Sequence, residues 1–383
     1  MSFELNSRII KWLDDHFEET VALTEELCRI PAPSHHEEKR AEYCKNWLEK
    51  QGAKGVYIDE ALNVVWEYSC EDRDDITVFM AHTDTVFPDM TEPMPCINDG
   101  KYIHSPGVGD DTLHVAIMFM VIKYILEHNL SAKSGILFVA NSCEEGLGNL
   151  KGVRQIMENY KGRVKELYTF DAVYTSLINC CVGSHRYNVT FKTEGGHSFN
   201  NFGNRNAIAA MSDFVCRMYS QKVPQKDGAI TTYNAGVAQG GTSVNTVAQN
   251  ASVLYEYRSN DSQCLESMKQ SFETVIADMK KENVADIEVK VVGIRPCADN
   301  VDAEKVAAMT AKAIAICEKY TGLPCKEKMG STDCNIPMSQ GVPAVCVGLY
   351  MGGGAHTREE YAEIESMRAG QKIAAELILE YFE

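Results

Sequence analysis

Two adjacent carboxylates, Glu144 and Glu145, come shortly after an uninterrupted apolar run, Gly135–Ala140. Such a run, bounded by a turn residue, predicts a buried parallel strand, so both acids lie where the strand leaves its sheet. Ligands of open α/β sheets bind at this edge, and two neighbouring acids there repel each other unless a cation or proton lies between them. Taken alone, a Glu-Glu pair is more often two solvated charges on a surface loop.

Other acids and histidines stand at predicted strand ends or in glycine-rich loops. They are His82, Asp110, Asp111, Asp171 and His356. A hydrolytic two-metal centre needs two cations about 3.5–4 Å apart, a bridging carboxylate, terminal His, Asp or Glu ligands, and a free carboxylate that accepts the proton of the attacking water. The chain offers this full set, which favours a site over chance surface charge.

Asp84 stands two residues after His82, at the end of the predicted strand Ile76–Ala81. Residues i and i+2 of an extended segment point to the same side, so the acid can orient the imidazole as a metal-bound histidine requires. On its own, a His-x-Asp sequence is more often a structural histidine hydrogen-bonded to a nearby acid.

Length and composition limit the possible classes of protein. The 383 residues exceed the about 250–300 at which single cores stop growing, so two domains are expected. The 54 acidic against 37 basic residues give a net charge of −17, which argues against a nucleic-acid partner or an anionic membrane. The fourteen cysteines contain no C-x-x-C pair, so we expect reduced thiols and a cytoplasmic location. We also expect no signal peptide and no spanning helix.

Hydrophobic periodicity predicts an α/β catalytic domain, residues 1–183 and 294–383, built on a mostly parallel mixed sheet flanked by helices. Its helices include one over about Asn6–Ile30, one over Glu37–Gln51 and a closing helix from about Glu360. Residues 184–293 have the order βαββαβ, which predicts a smaller, ferredoxin-like α+β domain inserted into the first.

Five motifs carry a resemblance to a known family. They are Met80–Val86 (MAHTDTV), Gly109–Asp111 (GDD), Cys143–Gly146 (CEEG), Gly195–Ser198 (GGHS) and Gly354–Tyr361 (GAHTREEY). In order and spacing they resemble the two-zinc exopeptidases, which include peptidase T, carnosinase-type dipeptidases, aminoacylase and carboxypeptidase G. The resemblance covers nearly the whole chain and is greatest to peptidase T-like members.

The resemblance implies two Zn²⁺ per subunit, with Co²⁺ or Mn²⁺ as possible substitutes. One zinc would be held by His82, Asp110 and Asp171, and the other by Asp110, Glu145 and His356. Glu144 would be the general base, and Asp84 would orient His82. The peptide bond between Asp110 and Asp111 would be cis.

The resemblance also implies roles outside the ligand set. His197 would be a lid histidine that reaches the active site of the other subunit in a homodimer formed through the inserted domain, where it helps to stabilise the oxyanion. Asn245 and Arg258 would grip a substrate carboxylate, and Asp333 and Asn335 would line the pocket. The alternative for His197 is a loop histidine without a catalytic role, and the alternative for Arg258 is a surface salt bridge.

Two features depart from the family pattern. Thr112 and Leu113 stand where Lys and Gly usually follow the acid pair, and Asp171 lacks the glycine that often follows it. The first departure lies at the entry into the next predicted helix, and neither departure removes a ligand.

The sequence therefore predicts an aminopeptidase of the peptidase T type that removes N-terminal residues from short peptides. An aspartate at position 171 resembles the aminopeptidase and dipeptidase branch. One alternative is an amidohydrolase that cleaves N-acyl or N-carbamoyl amino acids, and another is a non-catalytic protein that keeps the fold. An iron-sulfur protein is disfavoured because clustered cysteine spacing is absent.

Overall fold

The computed structural model describes residues 3–90, 94–146 and 148–383, and these form two compact units. The split unit comprises Met1–Cys180 and Asn300–Glu383, and the inserted unit comprises Cys181–Asp299. The boundaries expected from the sequence, residues 184 and 293, both fall within the inserted unit. Among the described residues, no helix combines the length and the apolar character needed to cross a membrane.

The described residues form both helices and strands. The helices are α1 (Ser7–Asp15), α2 (Phe17–Cys28), α3 (Glu38–Lys50), α4 (Leu113–Glu127), α5 (Lys151–Asn159), α6 (Ala207–Ser220), α7 (Ser262–Glu282), α8 (Ala303–Thr321), α9 (Asn335–Ser339) and α10 (Met367–Leu379). The strands are β1 (Tyr57–Ile58), β2 (Val64–Tyr68), β3 (Ile76–His82), β4 (Ile97–Asn98), β5 (Tyr102–His104), β6 (Gly135–Asn141), β7 (Val164–Phe170), β8 (Ser176–Cys181), β9 (Gly183–Lys192), β10 (Gly196–His197), β11 (Thr231–Gly240), β12 (Thr246–Val247), β13 (Asn250–Ser259), β14 (Asp286–Arg295), β15 (Lys326–Gly330), β16 (Ala344–Val347), β17 (Gly352–Gly353) and β18 (Tyr361–Glu363).

The split unit is built on an eight-stranded sheet with the order β1-β2-β6-β3-β7-β16-β8-β15. Strands β6, β3, β7 and β16 are parallel to their neighbours within this group, whereas β2 and β8 pair with it in the antiparallel direction. Every residue of β3 and β6 is buried, as expected for parallel strands covered on both faces. The mostly parallel mixed sheet predicted from the sequence is confirmed.

Helix α4 supplies much of the core on one side of this sheet. Its residues from Leu113 to Ile122 are all buried, because the segment is apolar around its whole circumference. It contacts α2 and α10. The helix that follows the predicted acidic turn is therefore firmly anchored.

Apart from the two-residue strands β10 and β12, which pair with each other, the inserted unit has the order β9-α6-β11-β13-α7-β14, which is the predicted βαββαβ pattern. Its four-stranded antiparallel sheet has the order β11-β13-β9-β14. On β9, Tyr187, Val189 and Phe191 alternate toward a core that includes Phe214 of α6 and Phe272 of α7. The alternation of period two places one face of the sheet against the two helices.

Two helix predictions were wrong in their extent. The helix predicted over Asn6–Ile30 breaks at His16, where φ is −104° and ψ is 12°. The imidazole of His16 stacks on Trp12, with ring centroids 4.0 Å apart, and its Nδ1 lies 2.8 Å from the Trp12 carbonyl oxygen at the end of α1. The closing helix begins at Met367 rather than near Glu360, because β18 pairs with β5 and a 3₁₀ turn, Ile364–Ser366, follows.

The packing of α10 yields a test of the fold. A Cβ atom added at Gly370 would lie 1.7 Å from the carbonyl oxygen of Leu349, although alanine usually favours a helix. We expect Gly370→Ala to lower the free energy of unfolding by about 1–3 kcal/mol, because overpacking forces the backbone apart. Urea unfolding measures this free energy. Lys372→Ala in the same helix removes an ion pair with Asp14 and serves as the control; it should lower the free energy of unfolding by less than about 1 kcal/mol. Equal urea midpoints for the two variants would contradict the close approach of Gly370 to Leu349.

Candidate metal centre

The parallel strands of the split unit bring polar side chains to one edge of the sheet. Strand β3 ends at His82, β6 ends at Asn141 shortly before Glu144 and Glu145, and Asp171 directly follows β7. Because β3, β6 and β7 are parallel, their carboxyl ends lie at the same edge. The strand positions therefore account for the convergence of these residues.

Asp110 lies in the turn Val108–Thr112, and its peptide bond with Asp111 is cis, as the resemblance implies. Its two carboxylate oxygens face two different imidazoles. Oδ1 is 3.0 Å from Nε2 of His82, and Oδ2 is 3.1 Å from Nε2 of His356. Asp110 thus has the orientation of a carboxylate that bridges two cations.

Two groups of side chains could each hold a metal ion. The first consists of His82, Asp110 and Asp171, and the second of Asp110, Glu145 and His356. Within each group the ligand atoms lie within 4.8 Å of one another. In the second, Nε2 of His356 also lies 3.3 Å from Oε2 of Glu145. The five predicted ligand side chains therefore come together in two groups that share one carboxylate.

Asp84 is completely buried and connects the two sides of the site. Its Oδ1 accepts the backbone N–H of Glu144 at 2.9 Å, and its Oδ2 accepts that of Glu145 at 3.1 Å. The hydroxyl of Ser34 donates to Oδ2 at 2.6 Å, and Oδ1 lies 3.3 Å from Nδ1 of His82. The same Nδ1 lies 3.1 Å from the backbone carbonyl oxygen of Asp84. Asp84 thus orients the histidine through its carbonyl oxygen and its carboxylate, and the carboxylate also fixes the loop that carries both glutamates.

Burial and charge act against each other in this cluster. Burial raises the pKa of Asp110, but hydrogen bonds with His356 and His82 outweigh it and hold the pKa of Asp110 below its usual value. Burial, followed by the negative charge of Asp110, raises the pKa of Glu145 to about 7 and that of Asp171 well above its ordinary value. Carboxylates this close and this buried repel one another unless positive charge lies among them.

The residues present fit a pair of divalent cations. Oε1 of Glu145 is buried and has no hydrogen-bond partner among the described residues. Leaving a buried carboxylate oxygen unpaired is costly, and a cation or its bound water would offset that cost. Imidazole and carboxylate donors around a shared carboxylate suit zinc and similar ions.

Comparison with known proteins identifies the family. A model described as peptidase family M20/M25/M40 matches residues 78–380. The chain belongs to this family. The recognition of the family from five motifs, and the prediction of an enzyme of the metallo-exopeptidase kind, are confirmed at this level.

Individual proteins similar to this M20-family chain share most of its length. An uncharacterized protein of Bacillus subtilis, YqjE, is 25% identical over 370 residues, which cover 89% of this chain and 92% of that protein. The aminopeptidase PepT of Bacillus cereus has a TM-score of 0.72 at 22% identity, with 95% of this chain and 98% of that one covered. A tripeptidase of Staphylococcus aureus has a TM-score of 0.74 at 22% identity, with 94% and 97% covered. At these identities, the two solved structures show a shared fold.

In the inserted unit of this M20-family chain, His197 and Asn245 lie close together. Strand β10 pairs with β12, and the backbone N–H of Ser198 donates to the Asn245 carbonyl oxygen at 2.9 Å. Arg258 lies near the opposite end of β13, where its Nε and Nη2 donate to Glu256 at 2.9 and 3.0 Å. A substrate carboxylate at Arg258 would have to compete with Glu256.

Asp333 and Asn335 are both buried in the split unit. Oδ2 of Asp333 accepts a hydrogen bond from Nδ2 of Asn141 at 2.7 Å, which ties it to the end of β6. Oδ1 of Asn335 accepts the backbone N–H of Thr332 at 2.9 Å and so stabilises its own turn. These contacts give both residues structural roles near the glutamate loop.

The buried Arg40 is a functional neighbour that the sequence did not indicate. Its guanidinium donates to the carbonyl oxygen of Ile30 at 3.0 Å, to that of Thr83 at 2.7 Å and to Oγ1 of Thr112 at 3.2 Å. The threonine that departs from the family pattern thus bonds to an arginine from α3. No sequence pattern sets Arg40 apart from the other charged residues of this amphipathic helix.

The second departure also has a structural counterpart. Ala172, which follows Asp171 in place of the usual glycine, has a φ of 69°. This is the left-handed region, which glycine adopts at the lowest cost. After Asp171 the chain therefore adopts a conformation that favours glycine, although alanine stands there.

We expect Asp84→Asn to weaken metal binding by about 10–100-fold, because the amide cannot accept all of these hydrogen bonds or orient His82 in the same way. Competition with a fluorescent zinc chelator measures the affinity. Asp99→Asn, in an exposed turn, is the matched control. Unchanged affinity in Asp84→Asn would show that His82 needs no acidic partner.

Proposed function

We propose that this M20-family chain is a metal-dependent aminopeptidase, of the peptidase T type, that removes N-terminal residues from short peptides. The observation that carries the proposal is the carboxylate of Asp110, whose two oxygens face His82 and His356 within two candidate ligand groups. The fold shared with an aminopeptidase and a tripeptidase supports the choice of substrate.

We assign His82, Asp110 and Asp171 to one Zn²⁺, and Asp110, Glu145 and His356 to a second. When bound, the two ions would lower the pKa of a water molecule and polarise the scissile carbonyl group. Three of the five ligands, Asp110, Glu145 and Asp171, are carboxylates, and the two cations would offset their negative charge. Zn²⁺ is preferred over Co²⁺ and Mn²⁺ on the mixed imidazole and carboxylate donor set.

Glu144 is our candidate for the general base. It is buried, it neighbours Glu145 in the chain, and its backbone N–H is fixed by Asp84. In the proposed reaction the carboxylate of Glu144 takes a proton from the attacking water and then donates it to the departing amine. Asp84 takes no part in the proton transfer and keeps the histidine and the glutamate loop in position.

The inserted unit supplies the finer parts of the proposal. We propose that it forms a homodimer, that His197 approaches the active site of the second subunit, and that Asn245 and Arg258 bind the substrate carboxylate. Large apolar side chains exposed around His197, namely Phe199 at 84%, Phe202 at 93% and Val244 at 102% exposure, support a protein partner for this surface. We also propose a cytoplasmic location, since the fourteen cysteines lack the spacing of a disulfide framework.

Glu144→Gln should lower kcat by about 10²–10⁴-fold, because the amide cannot accept the proton of water. Metal content measured by mass spectrometry should stay at that of the wild type. Glu158→Gln, whose carboxylate is exposed on α5, serves as the control and should keep full activity. Near-normal turnover in Glu144→Gln would rule out its assignment as the base.

The choice of substrate is tested with a matched panel. Free tripeptides, the same tripeptides acetylated at the amino terminus, and N-acyl and N-carbamoyl amino acids are incubated with the zinc-loaded protein. We expect cleavage of the free tripeptides only, with release of the N-terminal residue. Cleavage of only the blocked compounds would replace the aminopeptidase with an amidohydrolase, and no cleavage of any of them by metal-replete protein would favour the non-catalytic alternative.

A further inference from the structure

The turn that carries Asp110 is held by a single buried carboxylate, that of Glu360. Oε2 of Glu360 accepts the backbone N–H of Gly107 at 2.7 Å. Its Oε1 accepts the N–H of Gly109 at 2.8 Å and that of Asp110 at 2.9 Å. Glu360 is 1% exposed, so water cannot easily replace these three bonds.

Two backbone hydrogen bonds also belong to this turn, from the Val108 N–H to the Ser105 carbonyl oxygen and from the Thr112 N–H to that of Gly107, both at 3.1 Å. Gly107 has a φ of 75°, and a Cβ atom there would lie 2.5 Å from Cγ2 of Thr85. A Cβ atom at Gly109 would lie 2.0 Å from the hydroxyl oxygen of Tyr350. The close packing demands glycine at both positions, and glycine leaves the backbone with many accessible conformations. The carboxylate of Glu360 accepts the N–H groups of both glycines and of Asp110, and so helps to select one of these conformations.

Glu360 also belongs to the loop that carries the other side of the site. It stands four residues after His356, and its own carbonyl oxygen accepts the N–H of Ser105 at 3.1 Å. The same residue thus joins the segment of His356 to the segment of Asp110. The Nε2–Oδ2 distance of 3.1 Å between these two side chains depends on both segments keeping their places.

We propose that Glu360 is a positioning residue that sets the orientation of the shared carboxylate of Asp110 and so determines the affinity of both metal positions. The proposal rests on the metal assignment made under the proposed function. Glu360 contacts neither metal position itself and acts through three backbone N–H groups. Because Asp110 belongs to both ligand groups, a rotation of its carboxylate weakens both sites together.

The test is Glu360→Gln in the full chain. Glutamine keeps the volume, but its NH₂ group must face at least one of the three backbone donors, so the turn shifts. We expect Zn²⁺ affinity at both sites to fall by about 10–100-fold in competition with a fluorescent chelator. The neighbouring, exposed Glu359→Gln is the control and should bind two ions as the wild type does.

A second variant separates positioning from general stability. Glu360→Asp keeps the charge but is one methylene shorter, so we expect an intermediate affinity, in the order wild type, Asp, Gln. Thermal unfolding of the metal-free variants is measured in parallel. If the folded variants are less stable but bind Zn²⁺ with wild-type affinity, the proposal is overturned. If Glu360→Gln does not fold, wild-type Zn²⁺ affinity in Glu360→Asp is sufficient to overturn it.

The readout also separates this inference from the proposed activity. If the wild type binds two Zn²⁺ ions but cleaves no peptide, the proposed function fails while the affinity series still decides the role of Glu360. If the wild type cleaves peptides and Glu360→Gln binds Zn²⁺ normally, the positioning role fails and the peptidase assignment stands.

Discussion

Concentrated negative charge at one edge of a buried sheet is the constraint on which the split unit depends. Asp84, Asp110, Asp111, Glu145 and Asp171 share this region, and burial penalises the charged form of each one. These five carboxylates outnumber the positive charges that His82, His356 and Arg40 can supply, so added cations would stabilise their ionised forms. The parallel strands cause this repulsion between carboxylates by bringing their carboxyl ends together. The same geometry places the candidate metal ligands at one edge of the sheet.

Hydrogen bonds from the backbone decide where each carboxylate lies. Asp84 receives the N–H groups of both loop glutamates, and Asp111 receives the N–H of His82 at 2.7 Å. Arg40 adds a buried positive charge that links the end of β3 to the start of α4 through Thr83 and Thr112. Acceptors and donors in fixed positions lower the freedom of the ligands before any ion arrives, which is the physical meaning of preorganisation.

The sequence predicted the parts of this arrangement that are local in the chain. Buried strands could be recognised as apolar runs, and the acid or histidine after each one therefore marked the sheet edge. Element ends were less accurate, because the break at His16 and the strand β18 arise from side-chain and strand contacts that periodicity does not report. The hydrogen-bonding roles of Arg40 and Glu360 could not be predicted for a related reason, since their partners lie far away in sequence. The roles of His197 and Arg258 stay predictions.

Strand β16 lies between β7 and β8, although β7 and β8 are close in the chain and β16 comes near its end. On the ribosome, β7 and β8 emerge long before the segment that separates them, so each has an open edge in the nascent protein. Such edges pair readily with other strands, and the two neighbours must remain apart until translation is nearly complete. Asp171 is affected directly, because its N–H bonds to the Val347 carbonyl oxygen of β16 at 3.1 Å. A truncated polypeptide that ends before Ala344 would therefore leave this candidate ligand without its native support.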